Sequence, residues 1–202
     1  MGTVNERILA MLATLLFSSA TLAQTSPTET FDKAQYNLDT GDVVAALSLF
    51  RQAAEQNYAP AQARLAWILD GANQDEEAVN WYRRAAAQNN PEGQFGLAEM
   101  YIKGEGIETD LPIALDLITQ AAEQEYRPAI RKLADAYEHG RLNLGKDYDT
   151  AIMWLQRGLS NGDTWAVDRL TKAYRLGELG LTIDEAKAVD LETKARSMSS
   201  FE

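Results

Sequence analysis

From residue 46 onward, small and large apolar side chains return at near-constant spacing among polar neighbours. Ala46, Ala78, Ala114, Ala151 and Ala188 are separated by 32, 36, 37 and 37 residues. Three positions after each stands a large apolar residue (Leu49, Trp81, Leu117, Trp154, Leu191), and seven after each a small one (Ala53, Ala85, Ala121, Gly158, Ala195). Offsets of three and seven fall on one helical face, so the pattern predicts a buried stripe whose small members let a neighbouring helix approach closely. A second register runs through the companion helices: Ala61, Gly93, Ala129 and Ala166, then Leu65, Leu97, Leu133 and Leu170, then Leu69, Tyr101, Tyr137 and Tyr174. Both registers predict core positions, including Trp81, Trp154 and the three tyrosines.

The punctuation agrees with helices. Gly104, Gly140 and Gly177 sit where the chain must leave a helix, a place that favours positive φ. Pro60, Pro91 and Pro128 fall at helix starts, where a missing N–H costs nothing. Asn90 before Pro91, and Thr182 with Glu185 three residues on, predict N-terminal caps. Residues 29–39 and 42–56 read as two helices joined at Thr40-Gly41. Five pairs follow: 29–56, 60–88, 91–124, 127–160 and 163–197. The fold class is all-α, an α/α solenoid of about five antiparallel helix pairs. In the last pair the face that would receive a further repeat turns polar at Glu192 and Arg196, as a terminal capping helix requires.

Composition narrows the chemistry. The 202 residues include no cysteine and one histidine, His139. Disulfides, thiolate metal sites and cysteine nucleophiles are therefore absent, and no cofactor or metal is expected. Asp70, Asp75, Glu76 and Glu77 lack the alternating acidic spacing of a calcium loop and predict helix capping and first-turn dipole pairing. Asp147 and Asp149 read the same way. His139, just before Gly140, predicts a contact at a helix end. The net charge of −11 opposes binding to nucleic acid or to an anionic lipid surface. No nucleophile elbow or phosphate loop is present.

Met1 to Ala23 carries Arg7, the apolar run Ile8 to Phe17 and a small-residue end with Thr21 and Ala23. This predicts a Sec-type signal peptide cleaved after Ala23, hence a periplasmic or secreted protein, since the run is about half the roughly 20 residues a membrane span needs. No insertion in the membrane is expected after cleavage. A polar linker, 24–28, would follow, and residues 199–202 form a C-terminal tail.

The segments AVNWYRRAAAQ (78–88), GQFGLAEMYIKGEGI (93–107), AAEQ (121–124), RKLADAYEHG (131–140) and AIMWLQRG (151–158) resemble the Sel1-like repeat family, relatives of the tetratricopeptide repeats. Residues 29–57 look more like a tetratricopeptide-type leader pair, and 58–198 like the Sel1-like array. Two departures stand out: Gly71 to Gln74 shortens one loop within a pair, and Arg141 to Leu144 lengthens another. The resemblance implies a non-enzymatic, exported bacterial scaffold or adaptor that binds a protein or peptide of the cell envelope in its concave groove. It implies that the first helix of each pair lines that groove, with partner contacts at Arg64 and Trp67, Gly96 and Glu99, Lys132 and Asp135, and Arg169 and Lys172. Each pair is three residues apart and so shares a face. The family also serves in flagellar-motor and secretion assemblies, which is the alternative role. Its cysteine-rich members have been proposed to act on β-lactams, and this chain lacks every cysteine that marks them.

Overall fold

The computed structural model describes residues 25–199; the expected leader lies outside them. Ten helices alternate with short connections: α1 (Pro27–Asp39), α2 (Val43–Glu55), α3 (Ala59–Gly71), α4 (Asp75–Ala87), α5 (Pro91–Lys103), α6 (Leu111–Glu123), α7 (Arg127–His139), α8 (Tyr148–Ser160), α9 (Thr164–Leu176) and α10 (Glu185–Ser199). The first nine are each 13 residues, about 20 Å long. They pack as five pairs, α1 with α2 through α9 with α10, and the second helix of each pair also packs on the first helix of the next. Each pair buries its apolar stripe only against its neighbours, which is the logic of a solenoid.

The register alanines Ala46, Ala78, Ala114, Ala151 and Ala188 are all fully buried. Trp81 and Trp154 are buried beside them. Two core clusters meet in α5. Leu97 and Met100 belong to the first, Ala98 belongs to the second, and Tyr101 and Leu117 pack against both. The register tyrosines depart from expectation. Tyr101, Tyr137 and Tyr174 are only partly buried, because they sit in the last turns of α5, α7 and α9, where the chain leaves the packed layer.

The two kinds of connection differ. Turns between pairs are always three residues: 56–58, 88–90, 124–126 and 161–163. In each, one residue is left-handed (Asn57, Asn89, Glu125, Gly162). The next N–H, from Tyr58, Asn90, Tyr126 or Asp163, bonds back to the carbonyl of Ala53, Ala85, Ala121 or Gly158 at 3.3, 3.2, 3.1 and 2.9 Å. That is the six-to-one bond of a Schellman end. Connections within pairs vary instead, from 40–42 and 72–74 to 104–110, 140–147 and 177–184. The three long ones open on Gly104, Gly140 and Gly177, at φ 74°, 70° and 69°. They close when the N–H groups of Asp110, Asp147 and Asp184 bond to the carbonyls of Tyr101, Tyr137 and Tyr174 at 3.2, 2.9 and 2.8 Å.

Two helix starts differ from the sequence reading. α1 begins at Pro27, ahead of residue 29, because Ser26 and Glu29 form a reciprocal capping box. α10 is capped by Asp184, whose carboxylate accepts from the Lys187 N–H at 3.0 Å, in place of Thr182. Asn90 caps α5 as expected, accepting from Gly93 N–H at 2.8 Å.

Candidate functional site

The first helices of successive pairs are stitched together along one face by ion pairs drawn from the predicted row. Arg64 of α3 lies 3.5 Å from Glu92 of α5, and Glu99 of α5 lies 2.8 Å from Lys132 of α7. Arg169 of α9 pairs with Glu138 of α7 at 2.5 Å and with Glu178 at 2.8 Å. Lys172 reaches Glu178 at 3.5 Å, and Asp135 is held by Arg141 at 2.5 Å. Arg169 and Glu138 are mostly buried and fix one another in place, whereas Lys172 and Arg141 are exposed, and their pairs contribute little to stability.

Two members of the row stand apart. Trp67 keeps 54% of its surface exposed, with the Arg64 guanidinium 5.7 Å from its ring centroid. Gly96 has no space for a side chain, since a Cβ there would overlap the buried ring of Tyr82. Its place in the row therefore serves packing between α4 and α5.

Hollows lie along the edge formed by the connections within pairs. Trp67 borders one of about 580 Å³, together with Leu38, Val43, Ile68 and Asp70. Lys132 and Asp135 border one of about 420 Å³ with Ile102 and Arg141. Arg169 and Lys172 border one of about 670 Å³ with Glu138, His139, Lys146 and Glu178. In the last of these the charges largely neutralise one another. His139 makes the expected helix-end contact, its Nδ1 3.1 Å from the Asp135 carbonyl.

Of the acidic group at 70–77, Asp75, Glu76 and Glu77 occupy the first turn of α4. The Arg51 guanidinium, 2.6 Å away, and the Trp81 indole N–H hold the Glu77 carboxyl below its usual range. Asp70 corrects the capping expectation. It stands at the C-terminal end of α3, and burial pushes its carboxyl up against the partial pull of Lys103. Glu92 is likewise raised by burial, which outweighs Arg64. Asp147 caps α8 as expected.

Sequence reading missed a polar ladder on the opposite edge. Gln62 and Gln94 are fully buried. Gln62 donates to the Ala54 carbonyl and to Asn57 Oδ1, both at 3.1 Å, and accepts from Gln88 at 2.7 Å. Gln94 donates to Asn89 and to Gln120, both at 3.0 Å, and accepts from Gln124 at 2.7 Å. Ile130 and Val167 take the same place in the following pairs. There the polar link passes to Arg131, which forks onto the fully buried Asp163 carboxylate, itself a cap accepting from Trp165 N–H at 3.0 Å.

Among the described residues no helix is long and apolar enough to cross a membrane, and no three acidic or histidine groups converge as a metal site. The fold defines an α-solenoid of helix pairs whose first helices carry one ladder of linked side chains. The chain belongs to the Sel1 repeat family, whose pattern matches residues 39–58, 59–90, 91–126 and 127–163. Repeats of this family generally act in protein–protein interaction.

The chain is similar to a Sel1 repeat protein from Oxalobacter formigenes, with TM-score 0.75, 28% identity and coverage of 86% of this chain and 72% of that one. It is also similar to a protective antigen of uropathogenic Escherichia coli with a Sel1 repeat fold, with TM-score 0.69, 29% identity and coverage of 85% and 38%. An uncharacterised protein of Neisseria meningitidis serogroup B is 30% identical over 139 residues, 67% of this chain and 29% of that one. The ERAD-associated E3 ubiquitin-protein ligase component HRD3A of Arabidopsis thaliana is 30% identical over 129 residues, 54% and 19% of the two chains. The chain thus spans less than a third of the length of these last two relatives.

Proposed function

We propose that the protein is a non-enzymatic adaptor of the bacterial cell envelope, exported by the segment 1–23, that holds a protein or peptide segment along the face of α3, α5, α7 and α9. One observation carries this: the row from Arg64 to Lys172 runs unbroken across four first helices, with both charge signs, an open indole at one end and side chains already fixed by ion pairs. Prefixed polar groups and an exposed Trp–Arg pair lower the ordering cost of binding and supply the residue types that dominate protein interfaces.

Photo-crosslinking in the native cell tests the proposal, with the crosslinker at Trp67 and at Glu99 and controls at the exposed Arg83 and Asp116 on second helices. A discrete envelope protein trapped at both row positions is the expected result. Adducts at the controls alone would overturn the proposal. A charge swap separates binding from folding. Glu99→Lys with Lys132→Glu keeps opposite charges facing one another at the position of the 2.8 Å native pair while inverting the pattern a partner meets. The expected result is an unchanged melting curve with the trapped partner lost.

A further inference from the structure

The hollow at the end of the first two pairs combines apolar walls with a surplus of acidic groups, whereas those bordered by Lys132 and by Arg169 each carry a surplus of basic ones. Its walls are apolar: Leu38 from α1, Val43 from α2, and Trp67 and Ile68 from α3. Around them stand Asp70, Asp75 and Glu105 against the single ammonium of Lys103, a net of two negative charges. Lys103 is committed to Glu105 at 3.0 Å. The Asp70 carboxylate makes no hydrogen bond or close ion pair among the described residues, feeling Lys103 only at longer range. It also sits beside the last residue of α3, where the helix dipole is negative and a carboxylate is disfavoured. A partly buried carboxylate without a hydrogen-bonding partner, at the end of a helix where the dipole disfavours it, is held at a cost that Lys103 offsets only in part.

We infer that this hollow receives an arginine side chain from an extended segment of the partner protein, its stem on Leu38, Val43 and Trp67 and its guanidinium between the indole face and the Asp70 carboxylate. The inference rests on the adaptor proposal and names the chemistry its partner brings to one end of the row. A long side chain with an apolar stem and a charged head matches a site that is apolar at its walls and anionic around them. Arginine fits better than lysine because a planar guanidinium stacks on an indole and forks onto carboxylates together. Trp67, more than half exposed, offers a ring for that stacking. The neighbouring carboxylate, Asp75, lines the same hollow from the first turn of α4 and gives the fork a second anchor. A volume of about 580 Å³, within the range of small-ligand sites, leaves ample room for an arginine side chain and the backbone that carries it.

The full chain is titrated with the capped dipeptide acetyl-Leu-Arg-amide while the indole N–H signals of Trp67, Trp81, Trp154 and Trp165 and the backbone amides are followed by NMR. Acetyl-Leu-citrulline-amide, neutral and of the same shape, and acetyl-Leu-Glu-amide serve as comparisons. Saturable movement of the Trp67 indole and the Asp70 amide is expected, with the citrulline peptide binding about tenfold more weakly, the equivalent of one charge-assisted hydrogen bond. Asp70→Asn is expected to weaken the arginine peptide by a similar factor while the Trp81 and Trp154 signals report an intact fold.

Equal movement with the citrulline or glutamate peptide, an unaffected Asp70→Asn variant, or no saturable movement at all would overturn the inference. So would Trp67 movement that follows protein concentration without peptide, which would place a second copy of this chain in the hollow. Movement confined to the Glu99 and Lys132 amides would overturn the arginine site and leave the adaptor proposal standing. Failure of the adaptor proposal reads out separately, as loss of crosslinked adducts at both Trp67 and Glu99.

Discussion

Gly96 and Gly71 show how much one hydrogen atom decides in a layer of closely spaced helices. At Gly96 a methyl group would enter the space of the Tyr82 ring, which is buried and cannot retreat. Alanine gains about 1 kcal/mol of helix propensity over glycine, but overpacking costs about 1–3 kcal/mol. Gly96→Ala is therefore expected to lower stability in urea denaturation. Gly71→Ala, with ordinary φ and open space around it, is expected to hold or raise stability by up to about 1 kcal/mol. Asp70 gives a pH signature. Its carboxyl titrates above the unfolded value, so between the two the folded state binds more protons, and stability falls as pH rises through that window. Asp70→Asn removes this penalty. The variant is expected to melt higher than the parent at pH 7 and to lose that advantage at pH 3, where the parent carboxyl is protonated in both states; a uniform offset at both pH values would contradict the account.

Between elements, the link from α7 to α9 rests on a buried charge. Asp163 is fully enclosed, caps α9 and is neutralised by Arg131, which itself remains near half exposed. Stranding a buried carboxylate costs about 3–5 kcal/mol, and the access water has from the Arg131 side places the expected loss for Arg131→Ala near the bottom of that range. Adding Asp163→Asn, which keeps the cap and removes the charge, is expected to recover part of that loss in a double-mutant cycle. This pair also shows where sequence reading stops. The alanine registers, the glycine helix ends and the five pairs were legible because each leaves a local, periodic trace. Arg131 and Asp163 are 32 residues apart and leave none. Gln62 and Gln94 were passed over because a glutamine on a helix reads as solvated until its neighbours are known. The row from Arg64 to Lys172 was legible as one face, but its cross-helix ion pairs and the role of Gly96 against Tyr82 depend on neighbouring helices and left no periodic mark. The tyrosines after Leu69 in the second register were placed too deep, since the register repeats the position but not the change from a short connection to a long one.

For the whole molecule, stability is the sum of pairs and their interfaces, so it should be graded along the array. Native-state hydrogen exchange is expected to show greatest protection in α4 to α7, packed on both sides, and least in α1 and α10, packed on one. Uniform protection would mean that the array unfolds as a single unit. Arg175 of α9 binds Glu185 and Glu192 of α10, each at 3.0 Å, and ties the two helices of the last pair together. The two edges of the array, finally, obey different rules. On one, every turn has the same three-residue length and the same left-handed step; on the other, connections range from three residues at 72–74 to the stretch 140–147. The molecule is thus built like a bound book, with a fixed spine and pages of unequal width. New sequence can be spliced into the free margin, at Asn143 for example, and change what the protein displays while its pitch and stacking stay as they are.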